Sequence, residues 1–128
     1  MSVERPALIP YLENVLADLH KTLVQRGSSY ADFADNSRVF TELMAALGIK
    51  KPDGMSQVSF HGQAMICTKL ARDATGDRTH EDTWVDIANY AVLILADLRR
   101  TKSMQVQLQA EPSRDRMPTH HVAGTPRQ

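Results

Sequence analysis

Over residues 79–100 apolar side chains recur at Trp84, Ile87, Ala88, Ala91, Ile94, Leu95 and Leu98, the spacing of one helical face. Val85, Val92 and Leu93 widen that face until little of the middle is polar, which predicts a central helix buried on more than one side. A first stripe, Leu12, Val15, Leu16, Leu19 and Leu23, predicts a helix over residues 10–26, with Pro10 in its first turn and Gly27 able to cap its end. Val39, Phe40, Leu43, Met44 and Leu47 predict a second helix, N-capped by Asp35 or Asn36 and ended at Gly48. Ser56 opens a third, carried by Val58, Met65, Ile66, Leu70 and Ala71 and stopped at Gly76, with Gly62 as a weak point in its interior. Thr79-x-x-Asp82 matches a capping box, so the fourth helix follows the third after a few residues as an antiparallel hairpin.

Between these stripes lie G-S-S-Y-A-D-F-A-D-N-S, a loop composition whose two aromatic residues predict a fold back onto the body, and K-K-P-D-G, a turn signal. After Arg100 the run T-K-S-M-Q-V-Q-L-Q-A could prolong the fourth helix by a turn or two. Beyond it Pro112, Pro118, Gly124 and Pro126 break every periodicity. The pattern as a whole predicts an all-α fold: a compact bundle of about four helices with a central, buried C-terminal helix. The helical domain is expected over residues 8–102 and a disordered tail over 103–128, with His120 and His121 solvated in that tail.

Composition narrows the function classes. The 128 residues suit one domain, and 15 basic and 15 acidic side chains cancel without a basic run, so no duplex nucleic-acid footprint is present. The longest apolar run falls far short of the ~20 residues of a membrane span, and the N-terminus lacks a secretory pattern, so a soluble cytoplasmic protein is expected. A single cysteine, Cys67, excludes an intrachain disulfide and reads as a small core residue. Trp84 reads as core, and Met44 and Met65 as gap fillers. His80 reads as a capping or solvated side chain, and His61 as plain surface.

The chemistry gathers on the hairpin. Asp82, Asp86 and Asn89 share one edge of the fourth helix, and an antiparallel hairpin sets opposite each other positions whose numbers sum to about 155. Lys69 then faces Asp86, and Arg72 faces Thr83 beside Asp82. These charges form either a structural ladder that fixes register or one wall of a pocket. In a pocket, carboxylates could hold a divalent ion while Lys69 and Arg72 neutralise phosphate. The segment with Tyr30, Asp32, Phe33 and Asn36 offers stacking and hydrogen-bonding groups to such a pocket, and Arg26 and Glu13 of the first helix could reach it. The fourth helix also carries more apolar surface than three short neighbours cover, which predicts a homodimer or a higher homo-oligomer.

Y-A-D-F-x-x-N-x-x-V at 30–39, M-x-x-x-K-L-A-R at 65–72 and H-E-D-T-W-V-D-I-A-N-Y-A at 80–91 resemble three blocks of a small all-α family of unknown function common in phages and prophages. The resemblance covers roughly residues 10–100, and Ala31 and Asn89 stand where that family has glycine. It is similar, more distantly, to the MazG-like nucleotide pyrophosphohydrolases, which hold Mg²⁺ through acidic motifs on adjacent helices. The acids here are few: Thr83 stands three before Asp86, and Lys69 and Arg72 occupy the acidic positions of the third helix. The resemblance therefore implies a phage-type protein that sequesters or senses an anionic nucleotide or nucleotide-derived signal without hydrolysing it. Tyr30, Asp32, Phe33, Asn36, Lys69, Arg72, Asp82, Asp86 and Asn89 would bind it, and no residue would be catalytic. The alternatives are a Mg²⁺-dependent pyrophosphohydrolase with Asp82 and Asp86 as ligands, and a non-catalytic helical interaction module.

Overall fold

A computed structural model describes residues 3–26 and 29–110, leaving out the side chains of 29–31. The chain is an all-α bundle of four helices: α1 (Ile9–Gln25), α2 (Ser29–Ala46), α3 (Gln57–Thr75) and α4 (Glu81–Ala110). Two compact units divide it, Met1–Asp97 and Leu98–Gln128. The first contains α1 to α3 and the first half of α4. Of the second, the last turns of α4 are described, and every residue there is exposed.

Local chemistry sets most boundaries. Pro lies in the first turn of α1, where its missing N–H costs nothing, and Leu8 precedes it without a side-chain cap. The helix closes when the Arg26 N–H bonds the Thr22 carbonyl; the cap expected at Gly27 lies outside the described residues. At the end of α2 the Ile49 N–H reaches back to the Met44 carbonyl at 2.8 Å and the Gly48 N–H to that of Ala45 at 2.9 Å. The intervening Gly48 has φ +87°, a conformation that closes the helix at little cost because glycine has no Cβ. Ser56 N-caps α3 by accepting the Ser59 N–H at 3.0 Å, and Gly76 ends it, as the pattern predicts.

Three expected boundaries are corrected. α2 begins at Ser29, not after Asp35 or Asn36, so the predicted loop forms its first two turns. Phe33, Ser37, Phe40 and Met44 fall at helical spacing, and the Ser37 hydroxyl bonds the Phe33 carbonyl within the helix at 2.8 Å instead of capping it. The capping box at Thr79 does not form. The Thr79 N–H and hydroxyl both donate to Asp77 Oδ1, at 2.9 and 2.6 Å, and α4 starts one residue past His80. Residues 103–110, expected as tail, continue α4; the stretch expected to be disordered from 111 onward, with His120 and His121, lies outside the described residues.

α3 and α4 run antiparallel in the register read from the sequence. Ser56 Oγ donates to Asp97 Oδ2 at 2.9 Å, Lys69 Nζ meets Asp86 Oδ2 at 2.8 Å, and between them Gly62 receives the Ile94 side chain. A Cβ at Gly62 would stand 2.8 Å from both Cγ1 and Cδ1 of Ile94, so only glycine permits this approach. α2 packs on α3 through aromatic rings: Phe40 lies 5.6 Å from Phe60 and 4.4 Å from His61, and Phe33 lies 5.0 Å from His61. α1 rests beside the start of α4 across a cavity of about 240 Å³ lined by Val15, Leu19, Trp84, Val85 and Ala88.

The interior inverts the expected pattern. Residues buried on α4 are Thr83, Asn89 and Asp97, all polar, whereas Trp84 is 48% exposed and Val85, Val92, Leu95 and Leu98 are also exposed. The central helix is therefore not buried all round, and Trp84 is not core. Its polar edge faces inward only in part: Asn89 and Asp97 are buried, the latter hydrogen-bonded to Ser56, whereas Asp82 at the hairpin end is exposed. Among the described residues Val58 is the one buried hydrophobic side chain, and α1 buries none. Cys67, expected in the core, is exposed because it falls on the outward side of α3.

Candidate functional site

A cavity of about 570 Å³ opens where the end of α1, the first turns of α2 and the middle of α4 converge. Its polar wall is Arg26, Asp32, Asn36, Asp86 and Asn89. The apolar wall combines the rings of Phe33 and Tyr90 with Leu23, Val92, Leu93 and Ala96. Each contribution follows from helical spacing: Asp32, Phe33 and Asn36 lie within one turn of α2, and Asp86, Asn89, Tyr90 and Leu93 follow down one edge of α4.

Asn89 is the most constrained of these groups. It is 8% exposed, and its Oδ1 is enclosed with no hydrogen-bond partner among the described residues. A buried amide oxygen left unpaired costs ~1–3 kcal/mol. Phe33 and Tyr90 stand with ring centroids 5.9 Å apart, inclined at 41°, and form a partly aromatic floor.

Behind Phe33 the site is braced by a polar group that sequence reasoning missed. His61, read as surface, is half-buried and stacks on Phe33 at 7° and on Phe40 at 18°. Phe33 and Phe40 are seven residues apart on α2, a rise of about 10.5 Å, which leaves room for one ring between them. The Ser37 hydroxyl, fully buried, spends its proton on the Phe33 carbonyl, so its oxygen accepts from His61 Nδ1–H at 3.0 Å and fixes that tautomer. Burial pushes the His61 imidazole below its ordinary 6.5. Ser37 and His61 have no counterpart in sequence spacing; the only trace is the Phe33, Ser37, Phe40 periodicity.

A second, smaller cavity of about 180 Å³ lies at the hairpin end and collects Lys69, Arg72, Asp82, Thr83 and Asp86 with Asp77 and His80. Asp86 lines both cavities. Of the two ion pairs implied by the hairpin, Lys69 to Asp86 forms at 2.8 Å, with side chains 18% and 36% exposed. The second does not form: Asp82 is 85% exposed and lies 3.9 Å from His80, and Arg72 makes no ion pair among the described residues. Hydrogen bonds from the Thr79 hydroxyl and N–H hold Asp77 below the usual carboxylate range.

Of the nine residues assigned to binding by the sequence, Asp32, Phe33, Asn36, Asp86 and Asn89 meet in the large cavity, and Lys69, Arg72, Asp82 and again Asp86 meet in the small one. The side chain of Tyr30 lies outside the described residues. Arg26 joins the site as one of two possible contributors from α1, and Tyr90 was missed although it falls four residues past Asp86 on the same edge. Asp82 and Asp86 both line the small cavity, and among the described residues no three His, Cys, Asp or Glu side chains group so as to hold a metal ion. Within that cavity Lys69 already engages Asp86.

No helix among the described residues is long and apolar enough to cross a membrane. No family model, curated protein or solved structure matches the chain. The description as a phage-type, MazG-like, nucleotide-binding homo-oligomer is thereby corrected to an all-α helical bundle: no relative carries those labels over, and the metal cluster that a MazG-like site requires is missing from the described residues.

Proposed function

We propose that the chain binds, without hydrolysing, a small organic ligand that carries a flat hydrogen-bonding ring, and that the large cavity holds the ring. The observation that carries this reading is the combination in one cavity of about 570 Å³ of two aromatic rings with a buried, unpartnered amide oxygen on Asn89. Phe33 and Tyr90 provide stacking surface, Asp32 and Asp86 accept from ring or sugar donors, and Arg26 and Asn36 supply donors at the mouth. An anionic group on the ligand suits Arg72, whose guanidinium carries no carboxylate partner among the described residues, better than Lys69, which Asp86 already engages. A cytoplasmic setting fits the exposed thiol of Cys67, which a reducing compartment keeps free.

The test is a thermal-shift screen of nucleosides, nucleotides and other ring compounds with and without Mg²⁺, paired with an assay for released pyrophosphate or phosphate. Binding without turnover is expected, with a Tm that rises with ligand concentration and falls back in Asp86→Ala and Phe33→Ala. Turnover in Mg²⁺ would overturn the non-hydrolytic reading. If no ring compound raised Tm, the cavity reading would be lost and a helical interaction module would be left.

A further inference from the structure

We infer that Asn89 selects the ligand of the large cavity, by pairing with a ring edge that sets an N–H donor beside an acceptor, as in a nitrogen heterocycle with a lactam or an amino-substituted edge. The inference rests on the reading that this cavity holds a ring ligand, and it deepens it by naming the group recognised.

Three observations converge on Asn89. It is more than nine-tenths buried, it lies on the cavity wall, and its Oδ1 is enclosed without a partner. A primary amide carries an acceptor and a donor in one plane, and half a turn of the group exchanges them. The two flanking carboxylates, Asp32 and Asp86, accept only, so they attract donors but cannot serve a ring carbonyl or ring nitrogen. Asn89 is thus the enclosed group on the wall whose amide, on turning toward the cavity, satisfies both halves of such an edge at once. Phe33 and Tyr90, neighbours of Asn89 on the same wall, supply the faces against which a flat ring rests.

The physical consequence is discrimination. A ligand with the paired edge satisfies the orphaned oxygen, whereas one whose N–H is replaced by N–CH₃ leaves it unpaired and also crowds it. Sites built around a hydrogen bond reject analogues lacking it far more strongly than sites built around shape.

The experiment titrates the full chain by calorimetry with uridine and adenosine and with their methylated twins, 3-methyluridine and 6-(dimethylamino)purine riboside. The parent of whichever pair binds should bind at least tenfold tighter than its twin. In Asn89→Ala, which removes the amide and leaves room for the methyl group, parent and twin should bind alike. Equal binding of parent and twin by the unaltered chain would overturn the inference while leaving the ring-ligand reading in place. Discrimination retained in Asn89→Ala would also overturn it, because Asn89 would then be merely structural. Failure of all four compounds to bind would overturn the inference, and the ring-ligand reading would fall with it only if the wider thermal-shift screen also found no ring compound. The comparison on the unaltered chain needs no variant, so a misfolded Asn89→Ala does not protect the inference.

Discussion

Replacing Gly62 with alanine sets two opposing effects of known size against each other. In a helix interior alanine is favoured over glycine by ~1 kcal/mol, so on propensity alone Gly62→Ala should stabilise α3. The added Cβ, however, would meet Cγ1 and Cδ1 of Ile94 at 2.8 Å, where carbon atoms are comfortable only at ~3.5–4.0 Å. Cδ1 can swing away, but Cγ1 sits on a β-branched carbon whose χ1 has little freedom in a helix. Overpacking of this kind costs ~1–3 kcal/mol, so the net effect should be a loss of about 1 kcal/mol, or ~4–8 °C in Tm for a domain of this size. Urea denaturation followed by circular dichroism measures it. The decisive comparison uses an Ile94→Ala background, where both offending carbons are gone. There the same substitution should raise stability by ~1 kcal/mol, reversing its sign. If Gly62→Ala stabilised the protein with Ile94 present, or if its effect were the same in both backgrounds, the close approach of α3 and α4 at this point would be wrong.

Other outcomes follow from the polar interior. Ser56→Ala removes the cap of α3 and the donor to Asp97, which is 3% exposed, and should cost about 2 kcal/mol in chemical denaturation, more than capping alone. His61 binds a proton less readily folded than unfolded, so its stabilisation is complete above the ordinary 6.5 and drains away as pH falls from there through its lowered folded value. The side chains in contact with it, Phe33, Ser37 and Phe40, carry no charge to offset this, so His61→Gln should flatten stability between about pH 7 and pH 5, as read by urea midpoints. A double-mutant cycle of Lys69→Met and Asp86→Asn should give a coupling below ~1 kcal/mol, because the pair is partly exposed, and it should shrink further in high salt.

The parts of the fold legible in the sequence are those set by local chemistry. Ser56 and Gly76 bracket α3 because a hydroxyl cap and a glycine stop act within a few residues, and the short hairpin turn fixed which positions of α3 and α4 meet, Lys69 and Asp86 among them. The start of α2 was hidden for the opposite reason. Its serines, aspartates and asparagine have turn-forming composition, and only tertiary stacking of Phe33 and Phe40 on His61 rewards the helical alternative. The inward face of α4 was unreadable from periodicity, since a rod apolar on several sides has no single moment, and the choice fell to what α3 offers opposite it. Of the site, Asp32, Phe33, Asn36, Asp86 and Asn89 were visible as residue types. Their meeting with Arg26 and Tyr90 depends on where α1 and α2 end and begin, which no short-range signal reports.

The seam between α3 and α4 also restricts how the molecule can move. A helix that shifts past its neighbour does so by about one turn, ~5.4 Å, trading one set of interlocked side chains for the next. Here such a ratchet would strip Asp97 of Ser56, part Lys69 from Asp86, and drive Ile94 out of the notch at Gly62 into the side chains flanking it, all in one step. No intermediate stop satisfies any of the three. The hairpin therefore resists sliding of one helix past the other, and α2 is braced on α3 through Phe33 and Ser37 at His61, so of the elements that rim the large cavity α1, which buries no side chain, yields most readily to a ligand.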